Sequence, residues 1–375
     1  MKNQTHLWAI LTLFMVIVVL FFGLLHRGWP VVNDVKWIRD SRAIRFDENG
    51  IAYVNDLRNI RLNQLTGPLT IEMVVTPGTT NKRGFKPLLV IHDGADRRQL
   101  AIWQYNVSLI VMNGDDYNNK QRRPRVIARD VFLSQQMRYL TITSGERGTH
   151  LYVDGALVDA NKKWRLSIPV EGNPLRLVLG NSVHGNDGWQ GDLHGLAIAG
   201  KAIFAESVRH HFENWTADRK FDVRKQDSTL LLLTFDQKNA AQFADQSGNE
   251  NHLKIPQQMI ALQKTILASA FRPMIWNRTI VSEMVVNVVG FMPLGIILFG
   301  FLHCFSGPFI RHYQMLAVLS CLLISLGIEL AQAWIPTRYS TQLDLILNTF
   351  GAWLGIVGWK LVSKRKNRDL EVMSR

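Results

Sequence analysis

Apolar and polar positions alternate on two length scales along this chain. Four blocks are apolar almost without interruption, at 7–25, 285–305, 315–334 and 343–362. About twenty residues at 1.5 Å each span roughly 30 Å, the thickness of a bilayer's hydrocarbon core, so each block predicts a membrane-spanning helix. The first block runs into HRGWPVV, which lacks a small-x-small cleavage site, and is therefore read as a retained anchor rather than a signal peptide. Gly307-Pro308 and Ile335-Pro336 break the last three blocks from one another. Residues 27–262 follow a shorter period. Runs such as LTIEMVV (69–75), QLAIWQ (99–104), YLTITS (139–144), LRLVLG (175–180) and LLLLTF (230–235) are separated by turn residues, and no helical period of useful length precedes residue 200. Asp154-Gly155, set between HLYV and ALVDA, signals a type I′ hairpin. Many short strands at this spacing predict a β-sandwich or jelly roll.

The pattern divides the chain into an N-terminal transmembrane anchor (1–26), a jelly-roll domain (27–262), a juxtamembrane linker (263–284), a three-helix transmembrane module (285–362) and a basic tail (363–375). The fold class is thus mixed, an all-β sandwich plus an α-helical bundle of about four spans. The Lys/Arg-rich tail is expected on the cytoplasmic side, which places the IPTRYST loop and the whole sandwich outside.

Composition changes this picture in two respects. A mean hydropathy of zero is the average of a soluble domain and four apolar spans, and describes neither. The net charge of +13 first suggests nucleic acid, and KQRRPRVIAR (120–129) is the densest basic stretch. In the external domain nucleic acid is not an expected partner; anionic lipid heads or acidic glycans are, with a solvated loop as the plain alternative. Only two cysteines are present, Cys304 and Cys321, both in the spans, so no disulfide staples the sandwich.

Ionisable groups in membrane helices cost about 2.5–3.5 kcal/mol on insertion scales and need partners. Glu329 and Gln332 share a face near the end of the third span, Asp344 and Asn348 share one at the start of the fourth, and Asn287 lies near the start of the second. Arg338, in the connecting loop, is expected to reach a carboxylate. Asp344, Asn348, Gly351 and Gly355 form one stripe, polar at one end and small at the other, which suits close helix packing.

These residues carry a resemblance. NVVGFMPLG followed by SLGIELAQAWIPTRYSTQLDLILNTFGAWLG closely resembles the VanZ-like membrane family, through Asn287, Gly290, Pro293, Gly295, Ser325, Glu329, Gln332, Arg338, Asp344, Asn348, Gly351, Ala352 and Gly355. Family members usually join their first two spans by a short loop carrying D-K-x-x-H; here the sandwich fills that place. A second resemblance lies in THLYVDGALVDA and the later GWQGDLHGLAIA, which look like the concanavalin A-like, laminin-G-type (LamG) jelly roll. The element FD…DQSGNEN, which usually opens such a domain, stands at its end. The two resemblances imply a multi-pass protein of the bacterial plasma membrane with an external carbohydrate- or protein-binding domain. They also imply a link to cell-surface polysaccharide or to lipoglycopeptide antibiotic resistance.

Two functions follow as expectations. The first is a non-enzymatic envelope protein whose polar constellation locks helices while the sandwich binds a glycan or protein ligand. The second is a membrane enzyme acting on a lipid-linked glycan or its phosphate, with Glu329 or Asp344 as general base and Arg338 as phosphate clamp. The first is preferred. Within the sandwich no E-x-x-x-E or E-x-D-x-E run pairs carboxylates as glucanases do, and acids such as Glu72 and Asp192 stand alone. Trp103, Tyr105, Tyr117 and Trp189 are candidates for stacking on sugars or for the core. No cofactor is expected. The oxygens of Asp236, Asp245, Asn249 and Asn251 would suit Ca2+, though Asx-rich turns commonly cap loops instead.

Overall fold

The computed structural model describes all residues except 1, 26–30, 58–66, 79–83, 94–98, 115–121, 169–174, 186, 220, 222–227, 237–240, 263–265, 271–277, 305–311, 336–337, 339 and 374–375. Tyr117, Gly307-Pro308 and Pro336 lie outside the described residues. The chain divides into two compact units, Pro30–Gln263 and a second built from Met1–Trp29 and Lys264–Arg375.

The first unit is an antiparallel sandwich. One eight-stranded sheet runs β1 (Lys36–Ile38), β2 (Ala43–Phe46), β13 (Gly191–Ala199), β4 (Leu69–Pro77), β9 (Arg138–Gly145), β10 (Gly148–Val153), β11 (Ala156–Asn161), and β14 (Thr229–Thr234) also pairs with β13. The other runs β15 (Gln242–Phe243), β16 (Leu253–Lys254), β3 (Ala52–Val54), β12 (Arg176–Leu179), β5 (Phe85–His92), β6 (Leu100–Tyr105), β7 (Ser108–Asn113), β8 (Arg125–Ala128). Asp154 and Gly155 have φ of 52° and 79°, the type I′ geometry that their dipeptide predicts for the β10–β11 hairpin. The late FD…DQSGNEN element is not displaced from the fold. It supplies β14 beside β13, then β15 and β16 beside β3.

Strand β4 shows why simple alternation does not describe these strands. Leu69, Ile71, Met73 and Val75 enter the core between the sheets, as the two-residue period requires. Its other face is also buried, because helix α2 (Ala205–Asp218) lays Trp215 and Phe212 over Val74 and Tyr139. The second sheet is covered on its outer side as well, where Val31 and Met259 pack with Trp103, Ile110 and Met112. The segments that bring in those two residues pair with each other, Met259 N–H to Val31 O at 2.9 Å and Asn33 N–H to Gln257 O at 3.1 Å. The sandwich therefore begins and ends side by side. Part of the basic stretch is strand rather than loop: Arg125–Ala128 forms β8 at a sheet edge.

The second unit holds helices α1 (Lys2–Leu24), α3 (Arg278–Cys304), α4 (Tyr313–Gln332) and α5 (Gln342–Met373). Each contains a segment long and apolar enough to cross a membrane: Thr5–Leu24, Ile280–Cys304, Tyr313–Gln332 and Gln342–Arg365. Two helices exceed their apolar blocks. α3 starts at Arg278, inside the segment read as linker, and α5 continues through the segment read as tail. Helical hydrogen bonding does not stop where hydrophobicity does.

Small residues set the helix spacing. A Cβ at Gly351 would overlap the Val288 carbonyl, one at Gly355 that of Met292, and one at Gly295 that of Ala352. Backbone thus lies on backbone between α3 and α5, as in other small-residue membrane interfaces. Cys321 is buried with Leu294, Leu298, Ala317 and Ile356, and Pro293 sits within an otherwise continuous α3.

Candidate functional site

The polar residues of the helical unit converge where α4 passes into α5. Thr341 caps α5: its Oγ1 accepts the Asp344 N–H at 3.0 Å and donates to Asp344 Oδ2 at 2.7 Å. The spacing Thr-x-x-Asp before an apolar run is a capping-box signal, legible in the sequence. In a capping box the N–H of the cap usually bonds the acid three residues on. Here that N–H donates instead to Glu329 Oε2, at the end of α4, at 2.9 Å. Asn287 on α3 donates its Nδ2 to Asp344 Oδ1 at 2.6 Å. Asn287, Glu329 and Asp344 therefore meet around the first turn of α5.

One turn deeper, Asn348 Nδ2 donates to Ser325 Oγ at 2.9 Å, joining α5 to α4. Outside the helices, Leu267 N–H donates to Ser340 Oγ (3.0 Å), Ala268 N–H to Ser340 O (2.8 Å) and Gln342 N–H to Ala268 O (2.9 Å). A piece of the segment read as linker is thus fastened onto the α4–α5 connection. No sequence signal marks this contact.

Two expectations need correction. Arg338 is exposed and makes no ion pair with Glu329 or Asp344. Thr341 and Asn287 donate to those carboxylates, and the Arg338 N–H closes a turn onto Ile335 O at 3.2 Å. Gln332 shares a helix face with Glu329 but bonds elsewhere, its Nε2 donating to the Gly23 carbonyl of α1 at 2.7 Å.

In the sandwich, the Asx-rich turn is a hydrogen-bonded latch. Asp245 Oδ1 accepts the N–H groups of Leu232 and Ser247 (both 2.9 Å), and its Oδ2 accepts the Asn251 N–H (3.1 Å) and the Ser247 hydroxyl (2.7 Å). Asn249 and Asn251 donate their Nδ2 to the Leu230 carbonyl, which ties the turn to β14. Asp236 pairs with Arg42 at 3.4 Å on the surface. Among the described residues, no group of three or more His, Cys, Asp or Glu is placed to hold a metal ion.

The isolated acids also have partners. Buried Glu72 accepts from Tyr139 Oη (3.0 Å) and contacts His211 Nδ1 (3.0 Å). Asp192 takes a bidentate pair from Arg45, at 2.7 and 2.8 Å, and this pair holds the guanidinium above its ordinary pKa. Of the aromatics, Trp103 and Trp189 are core residues and Tyr105 is exposed.

One rim of the sandwich was missed from the sequence. Asn181 Oδ1 accepts the N–H groups of Ser182 (2.9 Å) and Asp187 (3.1 Å), while its Nδ2 donates to the Gly50 carbonyl (3.0 Å). Trp189 Nε1 donates to Gln104 Oε1 at 2.7 Å, and Gln104 stands opposite Lys86 across β5 and β6. The loop so braced presents Asp187, whose carboxyl desolvation pushes above the usual range against the opposing charges of Lys86 and His184.

Comparison with known families agrees with both halves. Residues 229–363 match the VanZ/LLP1 family and residues 49–209 the concanavalin A-like lectin/glucanases superfamily. The first match reaches back over β14–β16. No curated protein matches the chain. Among solved structures, the binding domain of botulinum neurotoxin DC is 16% identical with a TM-score of 0.38, over 49% of this chain and 45% of that one. A Bacteroides ovatus protein is 12% identical with a TM-score of 0.40, over 59% and 61%. A Trypanosoma rangeli sialidase is 15% identical with a TM-score of 0.37, over 49% and 29%. The chain thus spans less than two thirds of each. With four candidate spans and these two domain matches, the chain is a multi-pass membrane protein that joins a laminin-G-type concanavalin A-like domain to a VanZ-like module.

Proposed function

We propose that this is a cell-envelope protein of the bacterial plasma membrane whose sandwich binds a glycan outside the membrane, held there by the helical unit. The observation that carries the reading is the match of residues 49–209 to a lectin-like superfamily. The rim at Asp187 supports it. Both outer sheet faces are largely covered by the protein's own segments, and the rim loop holds a half-buried carboxylate whose oxygens accept no hydrogen bond among the described residues. Sugar hydroxyls donate to such a group, and Lys86, Gln104 and exposed Tyr105 lie on the neighbouring strands. The preferred role of the membrane constellation is to lock helices. Thr341 and Asn287 donate to Glu329 and Asp344, which ties the start of α5 to α4 and α3. A role in surface polysaccharide handling or lipoglycopeptide resistance is the physiological setting we assign.

A glycan array probed with the full chain in detergent tests the reading. Saccharide binding is expected, weakened about tenfold in Asp187→Ala; an array without signal would overturn it. A reporter active only outside the membrane, fused after Lys366, should stay silent, and activity there would reverse the topology.

A further inference from the structure

The end of the sandwich at which β12 begins holds the outgoing chain and is basic. Arg176, the first residue of β12, donates its Nη1 to the Leu262 carbonyl at 3.0 Å, and Met259, just before it, pairs with Val31. Seven residue steps separate Val31 from Leu24, where the first apolar span ends, and a stretch of that length reaches at most about 25 Å. Strand register carries this end across the sheet: Arg176 stands opposite His92, Ile91 opposite Leu100, and Leu100 opposite Asn113. Segment 161–167 then bridges to the other sheet. Ser167 N–H donates to Asn113 Oδ1 at 3.0 Å, and Leu166 N–H to Thr149 Oγ1 at 3.1 Å, beside the β9–β10 turn.

That segment exposes Lys162, Lys163 and Arg165, and the turn exposes Arg147. Desolvation first, and then the charges of Arg147 and Lys162, hold His150 on β10 below the ordinary histidine pKa, so both cations lie near it. Among the described residues, the exposed acids beside this group are Glu146 and Glu206. Loops 58–66, 94–98, 115–121, 169–174 and 222–227, outside the described residues, carry seven basic and six acidic side chains by sequence and leave the surplus in place. A second observation is apolar. Phe204 is 61% exposed, and the Arg147 guanidinium lies over its ring at 4.1 Å from the centroid. Exposed aromatics set among cations suit the boundary between lipid headgroups and acyl chains.

We propose that this end of the sandwich docks on the anionic phospholipid headgroups of the bilayer that anchors the chain. Arg147, Lys162, Lys163 and Arg165 meet the phosphates, and Phe204 enters the headgroup layer. Each basic residue near such a surface is worth about fivefold in partition. The short tether raises the effective concentration, so a modest attraction suffices. Leu69 stands opposite Ser144 at this end, and Pro77 opposite Gly191 at the other, where the Asp187 loop lies. Docking therefore leaves that rim clear, and it does not depend on a glycan ligand.

The full chain in nanodiscs of phosphatidylcholine, with or without phosphatidylglycerol, tests this by amine-reactive labelling read by mass spectrometry. Lys36, exposed on β1 opposite Arg45 and so at the Asp187 end, is the internal reference. Lys162 and Lys163 are expected to react about fivefold more slowly than Lys36 once phosphatidylglycerol is present, and molar salt should abolish the difference. Arg147→Glu combined with Arg165→Glu should remove the protection without changing the melting temperature, and Phe204→Ala should weaken it. Protection that survives the double substitution would overturn the assignment. Equal labelling in the two lipid compositions would overturn the proposal outright, and that arm needs no variant to fold. Equal protection by soluble alginate in phosphatidylcholine discs would overturn it as well, and give the face to an acidic glycan. A glycan array without signal would leave each of these results as it stands.

Discussion

The two units handle buried polar groups differently. In the sandwich, Asp192 has the Arg45 guanidinium and Glu72 has His211 and Tyr139, while Asp245 accepts three backbone N–H groups and a hydroxyl. In the helical unit, the donors to Glu329 and Asp344 among the described residues are the Thr341 N–H, the Asn287 amide and the hydroxyls of Ser340 and Thr341. The units also reach close packing differently. The sandwich fills its core with large side chains such as Phe46, Met73 and Phe235, whereas α3 and α5 approach until glycine meets carbonyl oxygen. Lipid gives helices no hydrophobic reason to associate, so contact must come from shape and hydrogen bonds, which small residues permit.

The sharpest way to break this comparison is at Gly351. Replacement by Leu should cost the helical unit about 3 kcal/mol or more, since the new side chain strikes backbone that has no room to move. Thermal unfolding of the purified full chain should show the helical transition lost or lowered, with the sandwich transition in place. If both move together, the units are not independent in stability.

A smaller effect is expected in the sandwich. Asp245→Ala removes four hydrogen bonds that latch the final turn to β14, and urea unfolding should register a loss of about 3 kcal/mol. Added Ca2+ should leave the unaltered protein's midpoint where it is, because protein donors occupy both Asp245 oxygens. A rise with Ca2+ would show that those oxygens serve a cation.

The smallest effect is electrostatic. His194, between Thr76 Oγ1 (2.9 Å) and the Ser41 carbonyl (3.2 Å), is held below the ordinary histidine pKa by desolvation. A lowered pKa means the folded state binds fewer protons, so its contribution is present above the unfolded value near 6.5. It is lost as pH falls from there toward the depressed folded value. Sandwich stability should decline over that window, and His194→Gln should flatten the decline. An unchanged slope would place the pH sensitivity elsewhere.

Much of the architecture was legible because its signals are local. Four apolar blocks of bilayer length, the Asp154-Gly155 turn and the spacing of short strands are all read without knowing what touches what. The candidate site was legible only as a set of residue types. Asn287, Glu329 and Asp344 meet around the first turn of α5, whereas Arg338, joined to them by charge alone in the sequence, is exposed. Thr341 could have been found from its capping-box spacing. Ser340 with Leu267 and Ala268 could not, since those contacts join positions more than seventy residues apart, one through the Ser340 hydroxyl and one through backbone groups that every residue carries.

Trp103 and the rim at Asp187 show the same division. An aromatic on an alternating strand reads equally as core or as surface, and the choice was made by Val31 and Met259, which arrive from the two ends of the domain to cover that sheet. By itself the sequence determined the class of each unit, the number of apolar spans and the residues from which a site could be built. The tertiary structure alone decided which of those groups are neutralised, which are buried beneath distant segments and which stay exposed. Hydrophobic period is a property of neighbours along the chain, whereas charge balance and exposure belong to neighbours in space.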